Sequence, residues 1–279
     1  MRRGSSGRGL PGRAGGARWA GLRRSWHAEW TKLRTDAGNG WLVLGVIALT
    51  VAVGASVAMT SRCDAAGCGG DPARLSLTGV MAGQVVVAVL AVLMVGNEYG
   101  TGMMHTTLTA IPRRLDVLAT KSAVLAAVTL VAGTVAVVAS LLIGGMVEPG
   151  RGFTAEHGFR ALSLADGPTL RAAAGSVLYL VLIGLLALGA ALAVRNSATA
   201  IGIVLAVLFV LPIIAQVLPD PGWQRHVDQI SPLTAALALQ TTTPTAHPPL
   251  TPGEGVAVLA GWAAAALLSG GWLLRVRDA

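Results

Sequence analysis

The sequence predicts an all-α integral membrane protein: six transmembrane helices behind an N-terminal amphipathic helix that lies on the membrane surface. Three observations lead there. Of 279 residues, 53% are hydrophobic and only 12% are charged, whereas a soluble domain carries about 25% charged residues. Six apolar stretches, at about 41–60, 77–96, 122–145, 172–194, 197–218 and 255–274, each approach the roughly 20 residues that a bilayer core requires. None of them contains Asp, Glu, Lys, Arg or His. One such run can be the buried helix of a soluble core, but six in series cannot all be covered that way. Aromatics are scarce and the apolar content is chiefly Ala, Val, Leu, Ile and Gly; such small residues let helix backbones approach closely in lipid.

Residues 1–17, rich in Gly, Arg and Ser, are expected to form a disordered basic tail. The Arg2-Arg3 pair is not followed by the short apolar region of a signal peptide, so the first apolar run, from Trp41, reads as an anchor that stays in place. Residues 18–36 form the predicted surface helix. Trp19, Leu22, Trp26, Trp30 and Leu33 recur at steps of three and four and make one stripe, while Arg23, Arg24, Glu29, Lys32 and Arg34 lie largely off it. Indoles favour the headgroup region and a basic face favours anionic lipid. Nine of the 21 basic residues precede Trp41. Attraction to anionic headgroups explains this arm with fewer assumptions than a nucleic-acid partner, so membrane lipid is expected and nucleic acid is not.

Residues 37–279 make up the six-span unit. With six spans both termini share a side, and that side holds 15 of the Lys and Arg residues against 6 on the other. The bias places both termini in the cytoplasm of a multi-pass cell-membrane protein. Spans four and five are divided only by Arg195-Asn196, a tight turn with its charge on the cytoplasmic side. Pro212 is expected to kink span five. Glu98, Lys121 and Arg195 are all expected at span ends, with their charges in water or snorkelling to it.

Cys63 and Cys68 share one short external loop. They are too few for a disulfide framework, and two ligands alone make a poor zinc site; either they are bridged, in a medium that permits it, or they are incidental. In the external 219–254 loop, Trp223, Val227, Ile230 and Leu237 suggest an amphipathic helix broken at Pro232, followed by a Pro- and Thr-rich stretch.

The cytoplasmic loop that follows span two, from Asn97 to Arg114, is polar and too long to be a bare turn. Pro112 is expected to end a short helix over about 101–110. Such a helix offers a docking surface for a cytoplasmic partner, and a plain solvated loop fits the same residues. No G-x-x-x-x-G-K-[ST] phosphate loop is present, and Gly96 to Gly102 lack the lysine that reaches terminal phosphates. The chain is therefore expected to be no enzyme, and any energy from ATP enters through another polypeptide. His27, His105, His157, His226 and His247 all fall outside the apolar stretches, so no haem, metal or other cofactor site is expected within the bundle.

Taken together, these residues resemble ABC-2-type transporter permeases, particularly those of actinobacteria. An E-W-T-K-L-R segment stands at Glu29 to Arg34. An E-Y-x-x-G-x-x-x-T-T-L-x-A-x-P-R-R loop runs from Glu98-Tyr99 through Gly102, Thr106, Thr107, Leu108 and Ala110 to Pro112, Arg113 and Arg114. An R-N-x-A step lies at Arg195-Asn196-Ser197-Ala198. The resemblance covers the chain from about residue 18 to its end. It implies a homo- or heterodimer of such subunits docked on two cytoplasmic ABC ATPase subunits, which hold the ATP and Mg. It also implies that the surface helix and the 97–114 loop touch the ATPase and relay its closure to the spans. The apolar, small-residue spans suit export of a lipophilic compound. An ion-coupled secondary transporter is the runner-up, although such carriers usually need ionisable groups near the midplane. A non-transporting anchor or assembly protein is the third reading.

Overall fold

In hydrocarbon a backbone N–H or C=O finds no water, so a crossing segment must close its hydrogen bonds within itself. The computed structural model describes residues 26–32, 35–64, 67–68, 71–100, 114–154, 162–242 and 250–276 and is all-α. Six helical segments are long and apolar enough to cross a membrane. Spans one to six are Ala37–Thr60, Pro72–Gly100, Leu115–Arg151, Gly167–Val194, Ser197–Val217 and Pro252–Val276. A short helix at 26–32 precedes them.

Side chains and turns set the ends of these helices. Asp36 accepts from Gly38 N at 3.0 Å and caps span one. Asp71 caps span two by accepting from Ala73 N at 3.1 Å. Span four stops at Arg195, whose left-handed backbone (φ 59°) reverses the chain. Asn196 then accepts from Thr199 N at 3.0 Å and opens span five. Within span five, residues Ala206–Val210 are π-helical, directly ahead of Pro212. Proline donates no hydrogen bond and crowds the carbonyl four residues back, and a wider turn relieves both.

Spans two and four form the centre: 61% of the most apolar window of each is buried, against 22% for spans one, five and six. Between them Tyr179 Oη donates to Gln84 Oε1, with both side chains shut from solvent. Spans four and six cross at glycines. A Cβ at Gly270 would lie 2.7 Å from the Gly189 carbonyl, and one at Gly189 would run into the Ala266 backbone. Leu130, Val131, Ile213, Val217, Leu268 and Trp272 point outward, as lipid-facing side chains do.

At the end of the bundle away from residues 26–32, Cys63–Asp64 pairs antiparallel with Gly67–Cys68. Cys63 is disulfide-bonded, and Cys68 is the only other cysteine in the chain. Ser76 Oγ donates to the buried Glu148 at 2.7 Å, and Thr242 Oγ1 donates to Asp71 at 2.6 Å. The 219–254 region holds two helices, Pro221–Ile230 and Pro232–Gln240, parted at Ser231. The first exposes Trp223 and Ile230. The second is half sunk against spans four and six, and Trp262 Nε1 of span six donates to the Ile230 carbonyl at 2.9 Å.

Because the obstacle at Gly189 is backbone, Gly189→Val should destabilise the bundle by about 3 kcal/mol, the upper end of the usual overpacking cost. Gly261 has nothing within 4 Å of an added Cβ, so Gly261→Ala should be neutral or stabilising by up to about 1 kcal/mol. Unfolding midpoints in detergent check both.

Candidate functional site: a charge cluster at the Glu98 end

Hydropathy locates an apolar run, but the helix that carries it extends further at each end. Span two continues to Gly100, and the helix of span three starts at Arg114. Glu98 therefore sits in the last turn of one helix, and Lys121 lies about two turns inside the next. Both are buried, with 4% and 1% of their surface exposed. This corrects the expectation that their charges reach water.

Each finds its partners inside the protein. Lys121 Nζ lies 2.8 Å from Glu98 Oε1 and 3.0 Å from Glu29 Oε2. Glu29 comes from the 26–32 helix and is itself buried. Lys32, one turn on, donates to the same Glu98 Oε1 at 2.9 Å and approaches Glu29 Oε1 at 3.5 Å. Two lysines and two glutamates thus form a neutral square that joins the N-terminal helix to spans two and three. Burial works against the Lys32 charge, but the bond to Glu98 and the charges of both carboxylates outweigh it. The Lys32 ammonium is held above its usual lysine range.

Glu98 and Tyr99 are consecutive, about 100° apart around the helix, and so reach different neighbours. The Arg195 guanidinium lies 5.6 Å from the centre of the Tyr99 ring, within cation–π range. Close by, a Cβ at Gly96 would collide with Ser197 Oγ. The end of span two is thereby seated on the turn between spans four and five.

Of the residues singled out from sequence, Glu29, Lys32, Glu98 and Tyr99 meet here. Trp26 packs against the core and Trp30 turns outward. Periodicity puts Glu29 on the polar side of its helix, whereas the structure turns it inward with Trp26 and Lys32, three residues apart on one face. The reason is electrostatic: Lys121 needs a carboxylate there. Glu98, expected in a docking loop, spends its carboxylate on the two lysines inside the protein. Arg114 opens the helix of span three. Trp19, Arg34, Gly102, Thr106, Thr107, Pro112 and Arg113 lie outside the described residues, as do the 1–17 tail and the helix expected over 101–110.

Sequence reasoning missed Lys121 as a member of the site. Its signal was present: it is the one cation between Arg114 and Arg151, at the threshold of a long apolar run. Among the described residues no group of three or more His, Cys, Asp or Glu is placed to hold a metal ion. The cluster is a joint between helices, with its charges already spent on one another. No family model and no curated protein matches the chain.

Removing one partner of a buried ion pair strands the other, at about 3–5 kcal/mol. Lys121→Met should therefore lower stability by that amount. Lys32, with 42% of its side chain exposed, is a partly solvated member, and Lys32→Met should cost about 0–1 kcal/mol. Chemical unfolding of the two variants in the same detergent compares them; equal losses would mean that Lys121 is not the anchor.

Proposed function

We propose that this chain is the membrane-spanning permease subunit of an ABC-type transporter, forming the translocation pathway and taking its energy from a separate cytoplasmic ATPase. Six apolar helices are compatible with a permease. The observation that carries the reading further is convergence. The three stretches that resemble ABC-2 permeases begin 29, 98 and 195 residues into the chain. Their members Glu29 and Lys32, Glu98 and Tyr99, and Arg195 meet at one end of the bundle.

In this reading that end is cytoplasmic, in keeping with the excess of Lys and Arg on its side. Residues 101–113 connect Glu98-Tyr99 on one side to the helix that bears Lys121 on the other. A partner that pushes this segment moves both ends. Through the charge square it also moves the N-terminal helix, and through Tyr99 the turn between spans four and five. ATP and Mg belong to the partner. Two permease subunits, alike or different, enclose the path, and the apolar, small-residue stretches of the spans suit export of a lipophilic compound.

A second reading, an ion-coupled carrier, draws support from the same cluster, because buried ionisable side chains in membranes often mark ion pathways. Gentle extraction from native membranes separates the two. For the permease, an ATP-hydrolysing polypeptide co-purifies in fixed proportion and is lost when 101–113 is scrambled with Glu98 and Tyr99 left in place. For the carrier, no ATPase is retained in any mild detergent, and reconstituted transport follows an ion gradient.

A further inference from the structure

The two helices between spans five and six do not stay above the bundle. Pro232–Gln240 is tied by its C-terminal side to the end that bears Cys63. There the Thr241 carbonyl accepts from Arg171 at 2.9 Å, and Thr242 Oγ1 donates to Asp71, the cap of span two. From that level the helix runs inward along spans four and six. A Cβ at Gly175 would lie 3.0 Å from the Leu239 Cβ, and one at Gly255 would lie 2.9 Å from the Ala235 carbonyl. Its nine residues cover about 14 Å. At the inner end, Trp262 Nε1 donates to the Ile230 carbonyl at 2.9 Å. Trp262 stands seven residues past Gly255, where the apolar run of span six begins, which is about 10 Å of helix. Two independent measures thus set the break at 230–231 about 10–14 Å inward, in a hydrocarbon core about 30 Å thick.

A helix break at that depth must be covered by protein, because lipid offers its backbone no partner. Ser231, in extended conformation at the break, is fully buried, and the Trp262 indole takes the carbonyl that the helix end leaves free. The other helix of the pair, Pro221–Ile230, lies against Leu211–Val217 of span five and ends at the same break. Its side chains do not suit lipid. None of its residues is buried: Arg225 and His226 are exposed and Asp228, two residues from the break, is half-buried. None of these three has a salt bridge among the described residues. Ionisable groups at membrane depth face either protein or water, and here the protein leaves them uncovered.

We propose that Pro221–Ile230 lines a water-filled recess, which opens at the Cys63 end and reaches down beside span five to the break at 230–231. Water there solvates Arg225, His226 and Asp228, and gives polar solutes a way into the membrane's outer part at that end. The inference rests on the six spans and on the placement of the helix pair, not on which transport reaction the bundle carries out.

The test uses the full chain in phospholipid vesicles. Among the described residues there is no free cysteine, so a single introduced cysteine can carry a nitroxide label. Asp228→Cys samples the recess, and Arg225→Cys is a second site on the same helix should the first variant fail to fold. Gly261→Cys reports the depth of the break, since Gly261 adjoins Trp262 and has nothing within 4 Å of an added Cβ. Electron spin resonance then compares collisions with oxygen, which concentrates among acyl chains, and with a water-soluble nickel chelate. Oxygen should dominate at 261, and the ratio should reverse in favour of nickel at 225 and 228. Nickel dominance at 261 would put the break above the hydrocarbon and overturn the proposal. Oxygen dominance at 228 would put the helix in lipid, with no recess, and overturn it equally.

Discussion

An ammonium about two turns inside an apolar helix cannot keep its charge alone, and one end of this protein is arranged around that constraint. Desolvating a lysine costs several kcal/mol unless carboxylates replace its water. Lys121 takes one from the end of span two and one from the N-terminal helix. Glu98 offers a single oxygen to both lysines, so the position of Lys32, and with it the N-terminal helix, follows from that of Lys121. Tyr99 extends the constraint to Arg195 and the turn between spans four and five. Four parts of the chain that are remote in sequence are thereby fixed to one another by charge and ring contacts.

The rest of the bundle is held differently. Lipid tails are as apolar as leucine, so packing rather than water exclusion must hold spans together. Glycines at 189 and 270 bring spans four and six into backbone contact, and the buried Tyr179–Gln84 bond pins span four to span two. Close packing has few alternative arrangements, whereas an ion cluster can exchange partners when one member is displaced. In the transporter proposed above, it is the charged end that would receive a partner.

The fold class was legible because hydropathy is a property of runs, and six runs of the right length leave a chain few choices. Helix ends were less legible. An apolar run stops at the first charge, but a helix does not, and so hydropathy puts Glu98 and Lys121 in water although both are buried. Periodicity found a helix through Trp26 and Trp30, yet it puts Glu29 on the wrong face, since the residue that turns Glu29 inward is 92 positions away. Pro212 marked a disturbance in span five, but whether that took the form of a bend or a widened π-helical turn depends on neighbours along the helix. Local rules read local structure, and three sides of the charge square join residues 23, 66 and 92 positions apart, which a lone cation at the threshold of an apolar run signals without naming its partners.

The most direct test of this arrangement is a double-mutant cycle between Glu29 and Lys121, with unfolding free energies measured for Glu29→Gln, Lys121→Met and the pair in one detergent. If the N-terminal helix is locked to span three by these two charges, the losses will fall short of additivity by about 1–3 kcal/mol, because the second substitution removes a charge that the first had stranded. Losses that add to within about 0.5 kcal/mol would show that Glu29 and Lys121 do not act on each other, and that the N-terminal helix is held by something else.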